Sequence, residues 1–128
     1  MSEPLVDWKA IREKAGPFPL SAYQFVREGL AHTVKMIHGE GGAPDDETRH
    51  VSGQQLCQGL RDYAVRRYGL MARTVMRNWR ITSTRDFGRI VFAMIDAGLM
   101  RKTEDDSLDD FEGVFDFDEA FGDLTLQR

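Results

Sequence analysis

Residues 83–99, STRDFGRIVFAMIDAGL, decide how this chain is read. Ser83 is a natural N-cap, and Asp86 three residues on favours the positive helix start and can return the capping bond. Phe87, Ile90, Val91, Met94 and Ile95 recur at i, i+3, i+4, i+7 and i+8, which places them on one helix face. Gly98 supplies the left-handed stop that a helix C-terminus prefers. A striped helix this short is marginal in water by itself, so it must pack on neighbours. The opposite face carries Arg85, Arg89 and Asp96, together with Gly88 and Phe92. Phe92 is expected in the core, since aromatics at helical spacing are usually buried; its other reading is an exposed anchor.

Outward from this helix, Ser52 and Gln55 form a capping box, followed by Leu56, Leu60, Tyr63, Ala64 and Tyr68 at helical spacing up to Gly69. A further helical run, 70–79, spaces Met71, Val75 and Trp79 by four, and Ile81-Thr82 joins it to Ser83. Two short helices with a brief connector have the shape of a helix-turn-helix. On the other side, 99–103 reads as a short strand, 104–110 as an acidic loop, and FEGVFDF at 111–117 alternates with period two. Phe111, Gly113, Phe115 and Phe117 would share one strand face. The fold expected is mainly α with a small β-hairpin (α+β), a winged-helix-like helix-turn-helix core preceded by two N-terminal helices. An all-helical bundle with an extended C-terminal arm is the alternative.

The two preceding helices are read at 4–15, with Leu5, Trp8 and Ile11 on one side, and from Ser21 onward. Gly16-Pro17 separates them. Ser21 and Gln24 suggest a capping box, Leu20 and Phe25 a hydrophobic staple, and Tyr23, Val26, Leu30, Val34 and Ile37 the stripe that Gly39 ends. Residues 39–51 read as a flexible loop or linker and 118–128 as an acidic tail, the whole 1–128 forming one domain.

The segments SAYQFVREGL, RHVSGQQLCQGLRDYAVRRYG, WRITSTRDFGRIVFAMIDAGLM and DSLDDFEGVFDFDEAF together resemble an uncharacterised bacterial family found mainly in planctomycetes and verrucomicrobia. The resemblance spans about Pro17 to Phe121. It implies a shared single-domain fold and brings no activity, cofactor or catalytic residue.

Chemical signatures are few. The sequence has no glycine-rich phosphate loop, no G-x-G-x-x-G, no H-E-x-x-H and no C-x-x-C, so no cofactor and no catalytic residue is expected. His32, His38 and His50 do not fall on one helix face, and no metal site is expected from them. Asp105, Ser107, Asp109 and Asp116 imitate calcium-loop positions, but Asp110 stands where the turn requires glycine and the bidentate Glu is missing. Cys57, the one cysteine, rules out an intrachain disulfide and reads as a packed thiol. No stretch approaches the roughly 20 apolar residues of a membrane span. The start does not read as a signal peptide, so a cytoplasmic protein without membrane contact is expected.

Charge is the stronger signal. Residues 51–102 hold ten Lys/Arg and three Asp/Glu, whereas 103–128 hold one Arg and ten Asp/Glu, within a chain of net charge −4 and pI about 5.3. A basic helical body beside an acidic end supports two readings. One is a non-enzymatic protein-interaction or structural module with an unidentified protein partner or a copy of itself, the acidic end lying across the basic helices. The other is a DNA-binding regulator in which Arg85 and Arg89 read the major groove while Arg73, Arg77 and Arg80 hold phosphates. The candidate surface for either partner is Arg73, Arg77, Arg80, Arg85, Arg89 and Phe92. The acidic wing and low pI favour the protein partner.

Overall fold

The structure, a computed structural model, describes residues 8–16, 18–39, 50–100 and 106–122, with side chains for all of these but 8, 12, 14, 15 and 122. Its helices are α1 (Trp8–Ala15), α2 (Leu20–His38), α3 (Gly53–Tyr68), α4 (Ala72–Asn78), α5 (Thr84–Asp96) and α6 (Phe117–Gly122), with 3-10 turns at Gly69–Met71 and Leu108–Phe111.

α2 and α3 form an antiparallel pair whose close approach depends on small residues. A Cβ on Gly29 would overlap the Leu60 side chain, and one on Gly59 would overlap Thr33. Across this seam Tyr23, Phe25 and Val26 of α2 are buried with Leu56, Cys57, Leu60 and Ala64 of α3. α5 lies against α1, α2 and α3 and supports the Leu108–Phe111 turn. Phe87, Ile90, Val91 and Met94 are buried as their spacing demands, and Ile95 is half-buried. Thr84, Asp86, Gly88 and Ala93 are buried too, so α5 is enclosed on most of its circumference. The Asp86 carboxylate accepts from the Thr82 and Ser83 N–H groups at 2.9 and 3.3 Å, fixing the helix start.

The winged-helix expectation is overturned: no strand is present among the described residues, and the hairpin is replaced by turns and a short helix. The physical reason lies in the phenylalanines. Phe111 enters a notch where Gly53 and Gly88 leave room; a Cβ on either would stand 2.8 Å from its ring. Thr84 Oγ1 donates to the Phe111 carbonyl at 2.6 Å and accepts from the Val114 N–H at 3.2 Å, spending the polar groups a strand ladder would need. Gly113 turns the chain at φ 57°. Asp116 Oδ1 then accepts from the Asp118 and Glu119 N–H groups at 2.8 and 3.1 Å and starts α6, which buries Phe117, Ala120 and Phe121. The start of the expected acidic tail therefore belongs to the helical body; 123–128 lie outside the described residues. The first expected strand does not form at Leu99–Met100, and 101–103 also lie outside. The helix-turn-helix is not a packed pair either, since α4 rests chiefly on α3 and α6, and α5 chiefly elsewhere.

Several boundaries also move. α2 starts at Leu20 with Pro19 at its N-cap and no side-chain cap, so the Ser21–Gln24 box and the Leu20 staple do not form; Leu20 and Ile37 are exposed. In α4 the buried residues are Ala72 and Met76, one position beyond the expected Met71–Val75–Trp79 stripe. The box at Ser52 and Gln55 forms as read, with bonds of 2.8 and 3.0 Å. α1 buries Ile11, whereas Leu5, the Trp8 side chain and residues 40–49 of the expected loop lie outside the described set.

Candidate functional site

Of the six residues picked from the sequence, three arginines stand against carboxylates, two arginines are exposed at the end of α4 and Phe92 is half-buried. Arg85 Nε pairs with Glu112 at 3.3 Å, and Arg73 pairs with Asp118, so the acidic C-terminal segment does lie against the basic helices. Arg89 pairs with Asp86 at 3.3 Å and rests over the Phe18 ring at 5.4 Å. Phe92 is half-buried, edge-on to Phe111 at 6.2 Å. Arg77 and Arg80, at the end of α4, are exposed and have no ion pair among the described residues.

A different surface gathers where α3 ends and α4 begins. Phe25 sits behind Tyr63, Tyr68 and Trp79, with ring centroids 5.6, 6.3 and 5.4 Å away, and Tyr68 meets Trp79 edge-on at 5.9 Å. Arg67 Nε donates to the Tyr68 hydroxyl at 3.2 Å, and its guanidinium stands 5.7 Å from that ring. Beyond Tyr68 the chain turns through Leu70 and Met71, exposed at 62% and 57%. Large apolar side chains this open, side by side on one turn and next to half-buried aromatics, form a patch rather than scattered exposure. Leu70, Met71, Tyr68, Trp79 and Arg67 were missed as surface residues because the sequence pattern assigned most of them to helix stripes. The available signal was Gly69, which resets the helix phase.

Beside this patch runs a polar network. His32 Nε2 and Asp62 Oδ2 lie 2.7 Å apart, and Arg66 Nε donates to the same oxygen at 2.7 Å. Tyr63 donates to Glu28 at 2.9 Å. Burial raises the Asp62 carboxyl, but the bonds from His32 and Arg66 outweigh it and leave it below its ordinary value. Burial and the bond to Glu28 push the Tyr63 phenol up.

Cys57 is buried, which pushes its thiol up to about 12 and leaves little thiolate at neutral pH. A His38 ring nitrogen meets the His50 carbonyl at 2.8 Å, and His50 pairs with Asp106 at 3.2 Å. Asp110 and Asp116 serve as caps, the former accepting from the Ser107 N–H at 3.1 Å. Among the described residues no group of three or more His, Cys, Asp or Glu is placed to hold a metal ion. A groove of about 650 Å³ is lined by Thr33, Met36, Ile37, Gln54, Gln55, Gln58, Gly59, Glu112, Gly113 and Val114. No helix among the described residues is long and apolar enough to cross a membrane.

Comparison with protein-family models, with curated proteins and with solved structures gave no match to this chain.

Proposed function

We propose that this chain is a non-enzymatic protein-interaction module whose contact face is the aromatic and arginine-bearing surface at the α3–α4 junction. The observation that carries this reading is the exposure of Leu70 and Met71 beside the half-buried Tyr68 and Trp79. Aromatic, methionine and arginine side chains are enriched at interface centres, because they bury much area for little conformational entropy. Exposing Leu and Met to water is unfavourable at about 25 cal/mol per Å², a cost that a partner covering them would relieve. Duplex reading by Arg85 and Arg89 has no comparable support. The body of α5 is enclosed by its neighbours, and both side chains already face carboxylates.

Affinity capture tests the proposal. The wild-type chain should retain a protein in stoichiometric amount from its source cells, and Leu70→Asp with Met71→Asp should lose it while melting as wild type. Sequence-dependent binding of duplex DNA by the unmodified chain at physiological salt, or capture indifferent to these substitutions, would refute it.

A further inference from the structure

The fold sorts the sulfur atoms of this chain by their access to water. Of the six methionines, all but Met1 are described. Met76 and Met94 are sealed in the core at 0% exposure, and Met100 is half-buried. Met36 and Met71 are open, at 54% and 57%. Cys57 is as enclosed as Met76, and burial pushes its thiol up to about 12, so it offers an oxidant almost no thiolate. Among the described residues, a peroxide therefore meets the thioethers of Met36 and Met71 before any other sulfur. These two stand in different settings. Met36 is near the end of α2 and lines the groove with Ile37. Met71 closes the turn Gly69–Met71 directly after Leu70, on the face that carries the interaction reading. Gly69 turns the chain out of α3 at φ 55°, and α4 then buries Ala72 and Met76 instead.

Methionine oxidation follows exposure, and the sulfoxide replaces a flexible apolar side chain with a polar one. We infer that Met71 is a reversible oxidation site, at which a peroxide forms the sulfoxide and turns the apolar α3–α4 face polar while the core stays intact. The inference deepens the interaction reading and rests on it. In the step, the sulfur lone pair attacks one peroxide oxygen and an S–O bond forms as the O–O bond breaks. The departing hydroxide takes the proton left on the transferred oxygen and leaves as water. Sulfur gives up two electrons and the peroxide gains them. The return step uses a dithiol, which removes the oxygen as water and is left as a disulfide. In the free chain the sulfoxide oxygen is solvated at Met71, so folding is unaffected. Under a partner the same oxygen is taken out of water, which is unfavourable unless a donor meets it. The buried sulfurs of Met76 and Met94 keep that cost out of the core.

Hydrogen peroxide applied to the folded full chain tests this, followed by tryptic digestion and mass spectrometry. Cleavage at arginine places Met71 in the peptide 68–73 and Met76 in 74–77, so the two are read separately. Met71 should gain oxygen at least about tenfold faster than Met76. The oxidised chain should melt as the untreated one does, yet retain its captured protein about tenfold more weakly. Methionine sulfoxide reductases, one for each epimer, should restore capture. Met71→Leu should keep capture and make it resistant to peroxide, whereas Met36→Leu should leave it sensitive. Oxidation of Met76 as fast as Met71 overturns the inference, as does capture that survives sulfoxide formation at Met71 or that peroxide still abolishes in Met71→Leu. A chain that captures nothing before oxidation overturns the interaction reading itself, and the inference with it.

Discussion

Gly59 faces Thr33 across the α2–α3 seam, and Thr33 is not at liberty to move, because its buried hydroxyl donates to the Gly29 carbonyl at 2.7 Å. Gly59→Ala should therefore cost about 1–3 kcal/mol through overpacking, read as a lower urea midpoint. Gly98→Ala meets no atom within 4 Å and should cost only about 1 kcal/mol, through the backbone alone. A larger loss at Gly98 than at Gly59 would contradict this view of the seam. Asp62 acts through charge instead. Its folded carboxyl is held below its ordinary value, so the folded state binds fewer protons than the unfolded one as pH falls. The stabilisation is present above the unfolded value of about 4 and is lost as pH drops through the lower folded value. Asp62→Asn should flatten the acid limb of a Tm-against-pH curve, while leaving the neutral limb lower but parallel.

At the scale of elements, the C-terminal segment 106–122 is the instructive case. Its ion pairs, Arg85–Glu112 and Arg73–Asp118, are largely solvent-exposed and contribute about 0–1 kcal/mol each. Its phenylalanines are what hold it: Phe111, Phe117 and Phe121 are buried, and Phe117 packs on Phe87 at 5.6 Å and on Phe121 at 5.2 Å. Removing both ion pairs by Glu112→Gln and Asp118→Asn should change stability by about 1 kcal/mol or less. Phe111→Ala should cost about 3–5 kcal/mol, because the glycine notch that receives the ring would be left empty. Urea denaturation of the two variants decides between them. Equal losses would mean that the segment is an electrostatic strap rather than part of the core. The same reasoning explains α5: neighbours on several sides bury Thr84, Asp86 and Gly88 as well as the apolar stripe.

At the scale of the whole molecule, one buried cluster draws on all six helices, from Ile11 through Phe121. Unfolding should accordingly be a single transition, with tryptophan fluorescence and far-ultraviolet circular dichroism tracing the same curve. Separate midpoints would show that the C-terminal segment unfolds by itself. What the sequence by itself determined is local: the Ser52 and Ser83 starts, the glycine stops after α2, α3 and α5, the buried stripe of α5 and the packed Cys57. Each follows from hydrogen bonds, backbone freedom or periodicity within a few residues. The charge division of the chain was equally legible. The conformation of Phe111 and Phe117 was not. Period-two phenylalanines fit a strand as well as they fit a turn followed by a helix, and the glycine notches at Gly53 and Gly88 and the Thr84 hydroxyl selected the latter. The candidate face was likewise invisible along the chain, because Tyr68, Leu70, Met71 and Trp79 carry the same apolar spacing whether they point inward or out. Only the tertiary structure decided that Ala72 and Met76 fill the space beneath α4, leaving Leu70 and Met71 in water.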